Sequence, residues 1–402
     1  MSGLKTIALV DFQMEGHHGG WLVHIAETLL RLGHRVVCLC PDPARMVREI
    51  HARSPGFATA FSSLELQNVV FPRLPTLRLR EFVETVGRWR RVAAVIATGM
   101  QRPPDLVCFA MLDGLLALGV TPAVVERCFP HRWTGIYFHP RAERFHHARA
   151  ERPALLRPDS CLRSEDCAAV ASLDEGIADR IARFVSPKEV VVLPDFSIPA
   201  APAGDKPAWI AEIRRRAGNR TVVGCIGLLS RRKGIFTLLR TAMQAEASEF
   251  FFVFAGLFFN QGATSEERSL WEKAVAHPPE NCILQPETIP SDAAFDELIQ
   301  RCDLLFAAYH RFPHSSNLLV KAAQFHKPIV VSKGYCMAER VERFALGIAV
   351  PENDPAATLT ALRTLRAGLA GPGDPSAGGF DSYMAEHSTA RLEKGLRQLV
   401  CH

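Results

Sequence analysis

Short apolar runs alternate with amphipathic helical stretches along nearly the whole chain, and that alternation is interrupted only once. In the first half, residues 6–10, 35–39, 106–110, 134–138 and 168–172 read as strands. Segments 24–32 and 174–184 carry apolar residues at three- and four-residue spacing and read as helices. The pattern then breaks over Pro194–Pro207, where Pro194, Pro199, Pro202 and Pro207 with Gly204 leave no periodicity and mark a linker. A second series follows, with strands expected at 222–226, 251–255, 282–285, 304–307 and 329–331 and helices between them. A Gly/Pro/Ala-rich loop is expected over 367–379 and a final helix over 382–399. Strands that alternate with helices form parallel sheets covered on both faces. The 402 residues exceed one ordinary core and suit two domains. The expected division is 1–200, 201–380, and a C-terminal helix in 381–402 that packs back toward the N-terminal domain.

Composition narrows the class. Apolar residues make up 48% and charged residues 22%, which excludes a disordered chain. A net charge of +5 without an aromatic-interleaved basic stripe gives no case for nucleic acid. The 11 cysteines show no CxxC and no paired spacing, which predicts buried free thiols in a reducing compartment. The first residues run into a strand without a signal-peptide core, and no apolar run reaches membrane-spanning length. A cytoplasmic location is expected.

Four segments have the makings of chemistry. After the first strand, Gly16, Gly19 and Gly20 free the backbone to approach a ligand at a helix start. This is neither a GxGxxG pattern nor a P-loop, so a Rossmann dinucleotide site and an NTPase are unsupported. The second segment runs from Gly227 through Ser230, Arg231, Arg232, Lys233 and Gly234 into a helix. A small-residue turn, fixed positive charge and a helix N-terminus make a phosphate seat; the alternative is a solvated basic loop. The third, Ser315, Ser316 and Asn317, opens an amphipathic helix and either forms a second anion seat or only caps it. The fourth is His139, at the carboxyl edge of a strand, able to donate to a sugar hydroxyl or to developing charge. His139, His146 and His147 lack a carboxylate or further ligand at helical spacing, so no metal is expected.

Together these pieces resemble the GT-B glycosyltransferases, most closely glycosyltransferase family four. Gly19-Gly20 with 26–36 resembles the family's opening "GG…LA..L..RGHEV". Tyr137-Phe-His-Pro140 sits where the family has an active-site histidine, and Leu193-Pro-Asp195 resembles "VPNG". Gly227–Gly234 resembles "GRL...KG", 302–308 resembles "ADVFVLPS", 327–332 resembles "GKPVVAS", and 346–351 resembles "GLLVPP". The order and spacing of the pieces carry the resemblance. Two departures stand out. The arginine of "GR" is Leu228, and the family's paired glutamates fall on Pro313 and Lys321. A lysine cannot accept from a hydroxyl as a carboxylate does, but it can contact a phosphate.

The resemblance implies an α/β fold with two Rossmann-like doubly wound domains facing a central cleft. It implies a glycosyltransferase that moves a sugar from a nucleotide diphosphate donor to an acceptor hydroxyl with retention, without metal or cofactor. In that reading His139 and Lys233 are catalytic. Gly19, Gly20, Ser230, Arg231, Arg232, Lys233, Ser315, Ser316, Asn317 and Lys321 bind the donor. The acceptor is a saccharide, a natural-product aglycone or a lipid-linked group. Arginines and apolar residues mixed over 71–80 and 87–91 suit either a peripheral membrane contact or a solvated helix face beside a core. The alternative function is a non-catalytic partner subunit that binds a nucleotide or sugar phosphate.

Overall fold

A computed structural model describes residues 4–14, 17–69, 76–144, 153, 156–197, 207–369 and 379–401. The expected linker and the Gly/Pro-rich loop fall largely outside the described residues, as do His146, His147 and positions 71–75.

The chain divides into two compact units, 1–194 with 389–402, and 195–388. In the first, the strands are β1 (Thr6–Val10), β2 (Arg35–Cys40), β3 (Phe61–Glu65), β4 (Leu106–Phe109), β5 (Trp133–Tyr137), β6 (Cys167–Ser172) and β7 (Glu189–Val192). They form one parallel sheet in the order β3-β2-β1-β4-β5-β6-β7. The second unit has β8 (Thr221–Ile226), β9 (Leu229–Ser230), β10 (Phe250–Ala255), β11 (Phe258–Phe259), β12 (Cys282–Gln285), β13 (Leu304–Ala307), β14 (Ile329–Ser332) and β15 (Gly347–Val350). Its main parallel sheet runs β12-β10-β8-β13-β14-β15, with β9 and β11 paired beside it. Both sheets reverse winding direction once, between β1 and β4 and between β8 and β13. In open α/β sheets such reversal points open a crevice beyond the strand carboxyl ends.

Burial on both faces explains why the strand runs are nearly all apolar. In β10, Phe251 and Val253 enter one core of the second unit while Phe250, Phe252 and Phe254 enter the other. In the first unit Trp89, Phe109, Phe129 and Trp133 are fully buried against one another at ring separations of 5.0 to 6.1 Å. Truncating any one of them to alanine costs about 3–5 kcal/mol. Trp89 lies on the helix Leu77–Gly99, whose Trp89, Val92 and Ile96 face the core. Its Arg88 is tied to Asn68 and to the Gly114 carbonyl, whereas Arg90 and Arg91 are exposed.

Three local expectations change. The first helix begins at His17 rather than near 24. The strands at 61–65, 189–192 and 347–350 were not expected; β3 is an edge strand whose Phe-Ser-Ser-Leu-Glu sequence is too polar to stand out. The single helix expected over 382–399 is two, Gly379–Glu386 and Thr389–Val400. Ser388 donates to the Ala385 carbonyl at the end of the first, and the chain crosses between units there. None of the eleven cysteines forms a disulfide and nine are buried, and burial pushes thiols such as Cys108 and Cys225 up to about 12. Among the described residues no helix is long and apolar enough to cross a membrane.

Candidate functional site

The second unit's reversal point is built from the loops that follow β8 and β13. After β8 the chain turns at Gly227, whose φ of +104° favours glycine. The carbonyl of Gly227 lies so close to Gly256 that a Cβ there would sit 1.9 Å from it. The chain then pairs as β9 with β11 and makes a 3-10 turn over Arg231–Lys233. Gly234, at φ +72°, starts the helix Ile235–Gln244. A Cβ on Gly234 would lie 2.5 Å from the Ala308 carbonyl oxygen, so the two loops meet backbone to backbone.

Side chains extend that seam. The His310 N–H donates to the Arg232 carbonyl at 2.7 Å, and the Arg232 guanidinium lies 4.9 Å from the Phe312 ring centroid. Lys233 Nζ donates to the Tyr309 hydroxyl at 2.7 Å and lies 4.4 Å from that ring's centroid. The Tyr309 hydroxyl is in turn 3.4 Å from Ser316 Oγ. Ser316 caps the helix Asn317–Gln324 by accepting from the Leu318 N–H. On these loops Ser230 Oγ and Asn317 Oδ1 are buried without a hydrogen-bond partner. Ser230 is 4% exposed. A buried hydroxyl without a partner carries a desolvation cost that a polar ligand removes. Lys233, Ser230, Ser316 and Asn317 thus belong to one region.

Other expected donor-site residues are engaged elsewhere. The Arg231 guanidinium pairs with Glu267 at 2.9 Å, and Glu267 also closes the capping box of the helix Ser265–Ala276. Ser315 Oγ donates to Asp195 and accepts from the buried Arg340 at 2.6 Å. Lys321 departs furthest from expectation. It is 6% exposed, and its ammonium pairs with the buried Asp296 at 2.6 Å, across to the helix Asp292–Arg301. An ion pair at that depth satisfies the lysine with a carboxylate of the chain itself.

The first unit has its own cluster at its reversal point. Asp11 follows β1, Asp113 follows β4 and His139 follows β5. The Phe138 and His139 N–H groups donate to Asp113, and His139 Nδ1 lies 3.2 Å from the same carboxylate. His18 Nδ1 lies 3.4 Å from Asp11. That hydrogen bond, helped by the charge of Asp11 and Asp113, holds the His18 imidazole above its ordinary pKa. Gly19 is tightly placed, since a Cβ there would be 2.9 Å from the Met14 carbonyl oxygen; Gly20 faces open space.

Sequence reasoning missed Tyr309, Arg340, Asp11, Asp113 and His18. Tyr309 and Asp11 carried a readable signal, because each lies just beyond a recognised strand, at its carboxyl edge. Arg340 carried none, since its partners stand 25 and 145 positions away in sequence.

Two Rossmann-like parallel sheets of this winding define the GT-B fold. Solved structures agree. HepE of Anabaena in complex with UDP and glucose superposes with a TM-score of 0.65 at 14% identity over 98% of each chain. Sucrose-phosphate synthase of Thermosynechococcus elongatus gives 0.65 at 15% over 98% of each. An α,α-trehalose-phosphate synthase (UDP-forming) of Burkholderia vietnamiensis gives 0.65 at 13% over 98% of each. Residues 209–367, within the second unit, match the family described as glycosyl transferases group 1. No curated protein sequence matches the chain.

Proposed function

We propose that the protein transfers a sugar from a nucleoside diphosphate donor to an acceptor hydroxyl, with retention of anomeric configuration as in the family-four enzymes it resembles. The observation that carries this reading is the buried, unpartnered Ser230 hydroxyl in the loop that bears Lys233, at the winding reversal of the domain matching glycosyl transferases group 1. Lys233 neutralises the departing diphosphate, and the N-termini of the helices at 235 and 317 add positive potential. The UDP and UDP-glucose bound to the similar HepE structures support a nucleotide-sugar donor. We assign His139 to a hydroxyl of the acceptor or the sugar, and Gly19 and Gly20 to close backbone approach. Lys321, Arg231 and Ser315 are better read as structural, given the partners they already hold. The alternative of a non-catalytic binding subunit rests on Pro313 and Lys321 standing where the family-four resemblance places glutamates, and the comparisons lend it no support.

The test is turnover with UDP-, GDP- and dTDP-sugars against saccharide, aglycone and lipid-linked acceptors, with the product anomer read by NMR. Lys233→Ala should lower turnover by about 100-fold or more, as removal of a main charge-stabilising group does. Nucleotide binding without turnover on any acceptor sinks the transfer reading; an inverted anomer sinks retention alone. If the acceptor is lipid-linked, Arg90→Glu with Arg91→Glu should reduce flotation with anionic vesicles, and a wild-type protein that does not float removes that contact.

A further inference from the structure

Lys233 is a flexible side chain, and a point charge on four rotatable carbons is a poor anion receptor until something fixes it. Tyr309 supplies that anchor. Its hydroxyl accepts from Lys233 Nζ at 2.7 Å, which holds the ammonium 4.4 Å from the ring centroid. Its own backbone is anchored, with the carbonyl accepting from Ser332 Oγ at 2.6 Å and the N–H donating to Ala307. The ring packs edge-on against Phe312 at 5.3 Å, and the residue is 2% exposed. The Gly234–Ala308 contact fixes the distance between the two loops that carry Lys233 and Tyr309.

The phenol has one proton. Because its oxygen receives the lysine, that proton is directed away from the ammonium, and the neighbouring oxygen is Ser316 Oγ at 3.4 Å. Ordinary hydroxyl pairs sit at about 2.7–2.8 Å, so the contact is long. The lysine is thereby connected through the phenol to the cap of the second helix.

Building on the donor-site reading, we propose that Tyr309 is a positioning residue for diphosphate recognition: it holds the Lys233 ammonium in place and couples it to the Ser316 cap. Tyr309 acts through Lys233, so its effect depends on the lysine being present. Nothing in the similarity to other proteins assigns this residue a role.

A double-mutant cycle on the full chain tests it, read by calorimetric binding of UDP, GDP, dTDP and ADP, with each matching nucleoside as a second ligand. Tyr309→Phe keeps the ring and removes the hydroxyl. It should weaken binding of the accepted nucleoside diphosphate about tenfold, as loss of a hydrogen bond to a charged group does, and leave nucleoside binding unchanged. In a Lys233→Met background the same change should have no further effect. Additive losses, or equal losses for diphosphate and nucleoside, overturn the proposal by making Tyr309 structural. Ser316→Ala, which retains the tyrosine, should give a smaller diphosphate-specific loss, and no loss removes the coupling to the cap. If the wild type binds none of the four diphosphates, the donor-site reading fails with it. Wild-type binding with an additive cycle overturns the Tyr309 role alone.

Discussion

Gly234→Ala isolates the contact on which the second-unit site depends. Two separate costs arise. Alanine must adopt φ +72°, a left-handed conformation that costs an L-residue about 1–2 kcal/mol. Its Cβ would also lie 2.5 Å from the Ala308 oxygen and 3.1 Å from Phe306. Close carbon–oxygen contacts in proteins stand at about 3.3 Å, so the loops must part by about 0.8 Å. Overpacking of that kind costs about 1–3 kcal/mol. The sum is about 3 kcal/mol, which for a unit of this size lowers Tm by about 6–12 °C. Gly262→Ala separates the two costs. Gly262 has φ +77° but open space around its Cβ position, so it bears the backbone cost alone, about 1 kcal/mol. Parting the loops also moves Lys233 away from Tyr309, and a shift near 1 Å in a positioned group can cost about 100-fold in turnover. Differential scanning calorimetry of wild type and both variants measures the stability difference, and nucleotide titration measures the second effect. If Gly234→Ala unfolds within about 0.5 kcal/mol of Gly262→Ala and binds nucleotide normally, the backbone contact does not hold the loops together and the reasoning fails.

Lys321→Glu would set two carboxylates against each other in a buried site, so urea unfolding should show a loss of about 3–5 kcal/mol; a loss under about 1 kcal/mol would mean the Asp296 pair is not formed. Arg231→Ala should weaken the start of the 265–276 helix by about 1 kcal/mol and leave nucleotide affinity within about twofold, whereas a tenfold drop would return Arg231 to the ligand site. Burial and the Arg53 charge, opposed by Glu27, push His24 down to about 4 from its ordinary 6.5, so the folded state holds it neutral. Its contribution is therefore complete above about pH 6.5 and declines as pH falls toward 4, by about 2 kcal/mol between pH 7 and 5. His24→Gln should flatten that part of a urea-midpoint profile, and an unchanged slope would mean another group is responsible.

The strands were legible because a strand buried on both faces must be apolar along its whole length, as 222–226 and 251–255 are. The edge strand β3 was hidden by the same rule, since Ser62 and Ser63 are tolerated where a face is partly open. The site was legible in its main chain and much less so in its charges. Gly227 and Gly234 announce backbone that must turn left-handed or approach closely, and both do. Charge is different, because a positive side chain in a loop looks alike whether it awaits an anion or already has one. Arg231 stands 36 positions from Glu267 and Lys321 25 positions from Asp296, and no local pattern shows which cations are already neutralised.

Those pairings bear on position 321, where the resemblance to family four would place a glutamate. A glutamate at 321 would stand beside the buried Asp296, two like charges withdrawn from water, which is strongly unfavourable. The lysine resolves that conflict by pairing with Asp296. The proposed diphosphate seat, by contrast, rests on Gly227, Ser230, Lys233, Gly234, Tyr309 and Ser316, none of which contacts that pair through the hydrogen bonds described. Substitutions at 321 should therefore act on the stability of the second unit, and substitutions at 233 and 309 on its grip on an anion. Measuring unfolding and nucleotide affinity on the same set of variants separates the two.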